Sequence, residues 1–235
     1  MKKGNVLPWS FSSLQSFENC PRRYYLTRIS KVVEDAPGEA ARWGNEVHKA
    51  LELAVGGGYG LGERFKQYQP VVDRLRATDG HKHVEQKFGI TNTFRPTKFF
   101  GNDVWFRGVI DLNIVRNKTA IAIDYKLGKV RTDGDQLKLF AAATFAMYPH
   151  VETVHTKYLW LAHDRTTGKT FNRDDAPQIW DEFQPRVARM VVAQEKDRWL
   201  PNPSGLCKGW CPVGRTHCEF WQGREGKVEE LEDKS

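Results

Sequence analysis

One cysteine near the start of the chain, Cys20, and three near its end, Cys207, Cys211 and Cys218, are the only cysteines among 235 residues, and they set the first constraint on the fold. The last three read C-x3-C-x6-C beside Pro212, and Cys20 stands in Asn19-Cys20-Pro21. Four thiolates can complete one tetrahedral zinc site or one iron–sulfur cluster. Sharing one metal centre would bring the two ends together and close nearly the whole chain into a loop. Unrelated thiols and disulfides are the other readings. Disulfides need an oxidising compartment, and the opening Met1 to Ser10 has no apolar h-region of a secretory signal. The expectation is a reduced, cytoplasmic protein.

A chain of this length buries a full core. A single domain is expected over residues 1–225, followed by an acidic, solvated tail over 226–235 that carries Glu229, Glu230, Glu232 and Asp233. No stretch approaches 18 consecutive apolar residues, which argues against a membrane span. Thirty-six Lys and Arg against 29 Asp and Glu leave a net charge of +7, a bias toward polyanions such as nucleic acid.

Apolar spacing predicts a helix from 12 to about 28, opened by Ser12 and Gln15 as a capping box and broken near Pro21. A second helix is predicted from about Ala40 to Ala54, ended by the glycine-rich stretch 56–62. Strands follow at His83–Ile90, Val104–Val115 and Thr119–Lys126. A helix from about Asp133 to Met147 with Asp133 and Gln136 as its capping pair, a strand over Val151–Leu161, and a long helix over Asp175–Trp199 complete the pattern. Helix, three strands, helix, strand describes an α/β fold with a mixed sheet of about four strands flanked by helices. The glycine stretch has no Lys-Ser/Thr after it, and Gly168-Lys169-Thr170 has His163 where a phosphate loop needs its first glycine. Neither supports an NTPase.

The chemistry concentrates in Gly108-Val109-Ile110-Asp111-Leu112 and Ile121-Ala122-Ile123-Asp124-Tyr125-Lys126. A two-residue turn at Asn117-Lys118 sets Arg116 opposite Thr119 and, continuing, Asp111 opposite Asp124. Two carboxylates so placed repel unless a cation such as Mg²⁺ or Mn²⁺ bridges them. Asp124 and Lys126 share a strand face, so the strand offers metal ligands beside a cation, the parts phosphodiester hydrolysis needs. His48, with Glu52 one turn on, and Glu85 are further candidates for the site. Arg22 and Arg23 beside Tyr24 and Tyr25 suit a groove that follows a nucleic-acid backbone, and Lys129 and Arg131 follow the Asp-x-Lys strand closely enough to reach phosphates.

This ordered set resembles the PD-(D/E)XK nuclease superfamily, and within it the RecB-like iron–sulfur branch that includes AddB-type nuclease domains and CRISPR-adaptation exonucleases. The similarity runs from about residue 10 to 222. It is carried by Ser10-Phe11-Ser12-Ser13-Leu14 with Phe17, Cys20-Pro21 and Tyr24; by Gly44-Asn45-Glu46-Val47-His48 with Leu51-Glu52; by Gly108 to Asp111; and by Asp124-Tyr125-Lys126. Gln136 to Phe140 matches a Gln-x-x-x-Tyr motif with Phe140 in place of the tyrosine.

The resemblance implies a restriction-endonuclease-like core. His48, Asp111, Asp124 and the Tyr125 carbonyl would bind Mg²⁺ or Mn²⁺, and Lys126 would orient the attacking water or stabilise charge. Glu52, Glu85 and Gln136 would support the site, and Gln136 is also a candidate DNA contact. It further implies a 4Fe-4S cluster on Cys20, Cys207, Cys211 and Cys218 joining the terminal segments. The function implied is a DNA nuclease, most simply an exonuclease on single-stranded or end-containing DNA, with a helicase or a recombination or CRISPR complex as partner. The alternative is a non-catalytic DNA-binding or scaffold module of such a complex.

Overall fold

The computed structural model describes residues 8–131 and 134–222. The acidic stretch 226–235 and the expected capping residue Asp133 lie outside these. The chain divides into two compact units, Met1–Phe11 with Pro37–Pro185, and Ser12–Ala36 with Arg186–Ser235.

The first unit is built on a mixed sheet. Its strands are β1 (His81–Ile90), β2 (Pro96–Thr97), β3 (Phe106–Arg116), β4 (Thr119–Lys126), β5 (Thr153–Trp160) and β6 (Arg165–Asn172), in the order β2-β1-β3-β4-β5-β6. All neighbours are antiparallel except β4 and β5. The parallel pair needs a crossover, and the helix Asp135–Met147 supplies it. Arg116 pairs with Thr119 across the Asn117-Lys118 turn, the register expected from the sequence.

Six strands replace the expected four. β2 has only two residues, too few to leave a pattern. β6 reads Arg-Thr-Thr-Gly-Lys-Thr-Phe-Asn and is largely exposed at the sheet edge, so no apolar alternation marks it. The helix Gln69–Ala77 was likewise not foreseen. The helix Glu39–Gly57 continues through two glycines of the expected stop and ends at Gly58, whose φ of 72° is left-handed.

Side-chain alternation on β4 divides the unit's interior. Ile123 and Tyr125 join Leu112 and Ile114 of β3 in a core with Val47, Leu51, Ala54 and Val55 of the helix Glu39–Gly57 and Val72 and Leu75 of the helix Gln69–Ala77. The alternate residues face the crossover helix, as the hydrogen bond from Gln136 to Asp124 shows.

The second unit joins two segments far apart in sequence. The helix Phe11–Asn19 ends before Cys20, whose Sγ accepts the Arg23 N–H at the start of the short helix Pro21–Tyr24; a π turn follows over Tyr25–Ile29. The helix begins at Phe11, so Ser12 lies inside its first turn and is not the expected cap. Trp199 stacks on Tyr25, ring centroids 5.2 Å apart, and packs edge-on against Phe17. Arg186 makes a two-pronged ion pair with Glu18, at 2.8 and 2.7 Å. Geometry of this kind makes a salt bridge more effective than an isolated surface pair. The predicted final helix is Ala176–Glu195, with Pro185 inside it. It follows a capping box between Asn172 and Asp175. Among the described residues no helix is long and apolar enough to cross a membrane.

Gly168 of β6 lies so close to β5 that a Cβ there would come 2.1 Å from the Thr156 carbonyl oxygen. Gly168→Ala must push the edge strand outward, at a cost on the order of 1–3 kcal/mol. A thermal unfolding midpoint lowered by several degrees is expected; an unchanged midpoint would refute the close approach.

Candidate active site

The site forms where the central ladder opens. β3 and β4 pair as far as Leu112–Ile123, and the next pair in register would be Asp111 with Asp124. That pairing is not made. The Asp111 side chain turns in, and its Oδ2 accepts the Tyr125 backbone N–H at 2.7 Å. On the other side of β3, pairing with β1 runs from His81–Val115 to Val84–Leu112 and resumes at Gln86–Ile110. The omitted pair is Glu85 with Asp111. Glu85 has a φ of +46°, a conformation costly for any residue but glycine.

This distortion breaks the two-residue alternation of β1. His83 lies with its ring 5.6 Å from that of Tyr148, and Gln86, three residues on, donates to the same tyrosine's hydroxyl at 2.5 Å. Asn113 donates in turn to Gln86 Oε1 at 2.9 Å. Glu85, between them, joins His48 and Asp111, and one ligand atom from each of the three lies within 4.8 Å of the others. Three carboxylates, Glu85, Asp111 and Asp124, thus occupy one register row of three neighbouring strands.

His48 reaches the opening from the helix Glu39–Gly57. Its Nε2 lies 3.1 Å from the Tyr125 carbonyl oxygen and its Nδ1 3.4 Å from Asp111 Oδ1. On the opposite side of β4, Asp124 is 4 % exposed. Gln136 donates to its Oδ1 at 2.9 Å and accepts from Lys126 Nζ at 3.0 Å. The same ammonium lies 2.6 Å from Asp124 Oδ2, an oxygen without an aligned hydrogen-bond donor. One amide therefore holds the acid and the base of the Asp-x-Lys motif together.

The electrostatics are those of crowded negative charge. Burial, aided by Asp111, pushes the Asp124 carboxyl up to about 6, against the lowering pull of Lys126 and His48. Burial also raises Glu85, and Asp111 and Glu52 raise it further. Burial alone would lower His48, but its hydrogen bond to Asp111 and the charges of Asp111 and Asp124 outweigh this, and its pKa is raised. Half-buried carboxylates, an imidazole and a backbone carbonyl oxygen form a donor set suited to a divalent cation.

The other predicted site residues are more dispersed. Glu52 forms an ion pair with Lys49 at 2.8 Å and acts on Glu85 through its charge. Lys129 and Arg131 are exposed beyond β4. In the second unit Arg22 pairs with Glu219 and Arg23 with Asp35, each at 2.9 Å, so both candidate DNA contacts are engaged within the protein. Cys20, Cys207, Cys211 and Cys218 line one pocket of that unit with Asn202 and Ser204. They are free thiols, and no three of their sulfurs come within 4.8 Å of one another. Backbone N–H groups of Arg23 and Asn202 point at Cys20 Sγ, and that of Ser204 at Cys207 Sγ, at 3.4–3.5 Å. What the sequence could not indicate is the strained Glu85 backbone and the Tyr148–Gln86–Asn113 network beside it, because no local motif encodes a glutamate with positive φ.

A family model described as the PD-(D/E)XK nuclease superfamily matches residues 8–219. No curated protein matches. Among solved structures, a protein of Eubacterium rectale provisionally assigned as an exonuclease aligns at a TM-score of 0.50 with 11% identity, over 85% of each chain. SSO0001 aligns at a TM-score of 0.47 with 15% identity, over 94% of this chain and 90% of its own.

The raised pKa values of Asp124 and His48 fix the sign of a pH effect. In metal-free protein both groups bind protons more tightly folded than unfolded, so both contribute stability at low pH. Asp124's share falls as pH rises from the ordinary carboxylate range through about 6, and His48's falls as pH rises above the ordinary imidazole value. The expected melting behaviour is a midpoint that falls between pH 5 and pH 7.5 in EDTA, a smaller fall for Asp124→Asn, and a Mn²⁺-induced rise of about 3 °C or more at pH 7.5 that shrinks at pH 5. A Mn²⁺ effect independent of pH would contradict this.

Proposed function

Because the chain belongs to the PD-(D/E)XK nuclease superfamily, we propose that it is a Mg²⁺- or Mn²⁺-dependent deoxyribonuclease, acting as an exonuclease on DNA that offers a single strand or an end. The observation that supports this reading is that His48 reaches both Asp111 and the Tyr125 carbonyl, next along β4 to the Asp124–Lys126 ion pair. Both units are taken as parts of one nuclease domain, since the family match spans residues of each.

His48, Asp111, Asp124 and the Tyr125 carbonyl would hold the divalent ion, with Glu85 beside them. When bound, such an ion polarises phosphate oxygens and lowers the pKa of water. Asp111 also fixes the Tyr125 peptide through the N–H it accepts, so it holds the neighbouring carbonyl in place. Lys126 has a half-buried stem and a charge anchored by Asp124 and Gln136. This ammonium is placed to orient a water or to offset charge on a phosphate. Gln136 is a positioning residue. The intact Asp111, Asp124 and Lys126 set argues against a purely scaffolding role, which would not need so costly an assembly of charge.

We also propose that the four cysteines hold a 4Fe-4S cluster. Zinc with a sulfur distance of about 2.3 Å would draw its thiolates to within about 3.8 Å of one another. A four-iron cluster interposes its own atoms, so its cysteines stand farther apart; the four cysteines here line one shared pocket. The amides directed at Cys20 and Cys207 would stabilise thiolate ligands.

Lys126→Ala and Asp124→Ala should reduce cleavage at least about a hundredfold, and Gln136→Ala about tenfold, with melting shifted by only a few degrees. The assay compares end-labelled linear with covalently closed circular DNA, single- and double-stranded, in Mn²⁺. Full activity in the Lys126 variant would end the proposal, and cleavage of closed circles would exclude an exonuclease. Anaerobically purified protein should be brown and absorb in the visible. Cys20→Ala should lose that colour and lose thermal stability more than intrinsic rate. Colourless protein carrying stoichiometric zinc would rule out the cluster.

A further inference from the structure

The nuclease reading leaves unexplained an aromatic, basic arm in the first unit, the loop of residues 91–105 between β1 and β3. Alternate rows of a ladder share a face. Pairing resumes at Gln86–Ile110, whose Gln86 faces Tyr148, so the next row, Lys87 with Val109, faces the other way, the side on which Glu85 joins His48, and Gly89 with Arg107 shares it. Phe88, Ile90, Phe106 and Ile110 of the alternate rows are buried. Arg107 therefore follows Asp111 along the same surface, four residues or about 13 Å away, roughly four stacked nucleotide steps.

The arm lies directly against this surface. A Cβ on Gly89 would come 2.7 Å from the Lys98 carbonyl oxygen, and one on Gly101 would come 2.8 Å from Asp103 Oδ1. The turn is closed by Gly101 N–H donating to the Lys98 carbonyl at 2.8 Å and by Thr97 donating to Asp103 at 2.6 Å. It presents Phe99 and Phe100, whose rings meet at 4.8 Å, with the Arg107 guanidinium 5.4 and 5.6 Å from their centroids. Phe100 is 79 % exposed. Lys87, Arg95 and Lys98 are exposed around it. The loop's one carboxylate, Asp103, is occupied by Thr97.

We propose that Phe99, Phe100 and Arg107 form a stacking clamp for unpaired bases of the DNA strand that enters or leaves the site. An exposed Phe100 with a half-buried Phe99 beside it, held by an ordered turn, offers base-stacking surface without prior ordering. Three exposed cations, Lys87, Arg95 and Lys98, against the single carboxylate Asp103 leave a positive balance that matches a phosphate backbone, the combination that binds single strands without sequence preference. The clamp rests on the nuclease reading for what lies at the other end of the strand.

The test uses the full chain. In a Lys126→Ala background with Mn²⁺, fluorescence anisotropy measures binding of an oligothymidylate long enough to span site and arm, and of a blunt duplex. Phe99→Ala with Phe100→Ala should weaken single-strand binding about tenfold or more and change duplex binding little. In otherwise unaltered protein, hydrolysis of thymidine 5′-(p-nitrophenyl phosphate), too short to reach the arm, should be unchanged by the pair. Single-strand affinity within twofold of the parent, an equal loss on duplex, or loss of ester hydrolysis would each overturn the clamp. Binding lost in a protein that cleaves nothing would sustain the clamp and defeat the nuclease reading. Cleavage with binding unaffected would do the reverse.

Discussion

Repulsion among Glu85, Asp111 and Asp124 governs the centre of this protein. An uninterrupted ladder would set these three carboxylates side by side on neighbouring strands, where facing side chains lie about 5 Å apart. The sheet gives up its pairing there instead. The Asp111 carboxylate accepts the Tyr125 N–H, and Glu85 adopts a left-handed backbone. Local strain of this kind persists only where surrounding structure imposes it. Here the flanking rows from Val84–Leu112 and Gln86–Ile110 outward are regular.

The same opening lies between candidate site residues on different faces of the sheet. Tyr125 packs in the core with the helix Glu39–Gly57, and Asp124 and Lys126 face the crossover helix and Gln136. A closed, flat sheet would keep these sets apart. Where β3 and β4 part, the Tyr125 carbonyl becomes available to His48. Beyond the opening, β1 and β3 regain their pairing and carry a basic, aromatic surface away from it.

The ion-pair and aromatic contacts of the second unit show that its two segments are joined by ordinary packing, with the cysteine pocket among them. Arg22 and Arg23, read from sequence as backbone contacts for DNA, are tied to Glu219 and Asp35. Adjacent arginines and tyrosines indicate composition. They do not indicate which carboxylate a later segment will bring within reach.

The α/β class and the hairpin register were legible in the residues themselves, whereas His48 was set beside Asp111 and Asp124 only by the family resemblance. Strand alternation and the two-residue turn are local properties of the chain. The polar edge strand β6 and the two-residue β2 were not, because each depends on a neighbouring strand and carries no apolar period of its own. Glu85 and Gln136 were candidates from the sequence, but tertiary structure decided the backbone turn that brings Glu85 to His48 and Asp111, the hydrogen bonds by which Gln136 bridges Asp124 and Lys126, and the placing of Phe99 and Phe100 against Arg107. These outcomes depend on a break in pairing, a helix docking and a turn folding back. Each is set by contacts between residues distant in sequence.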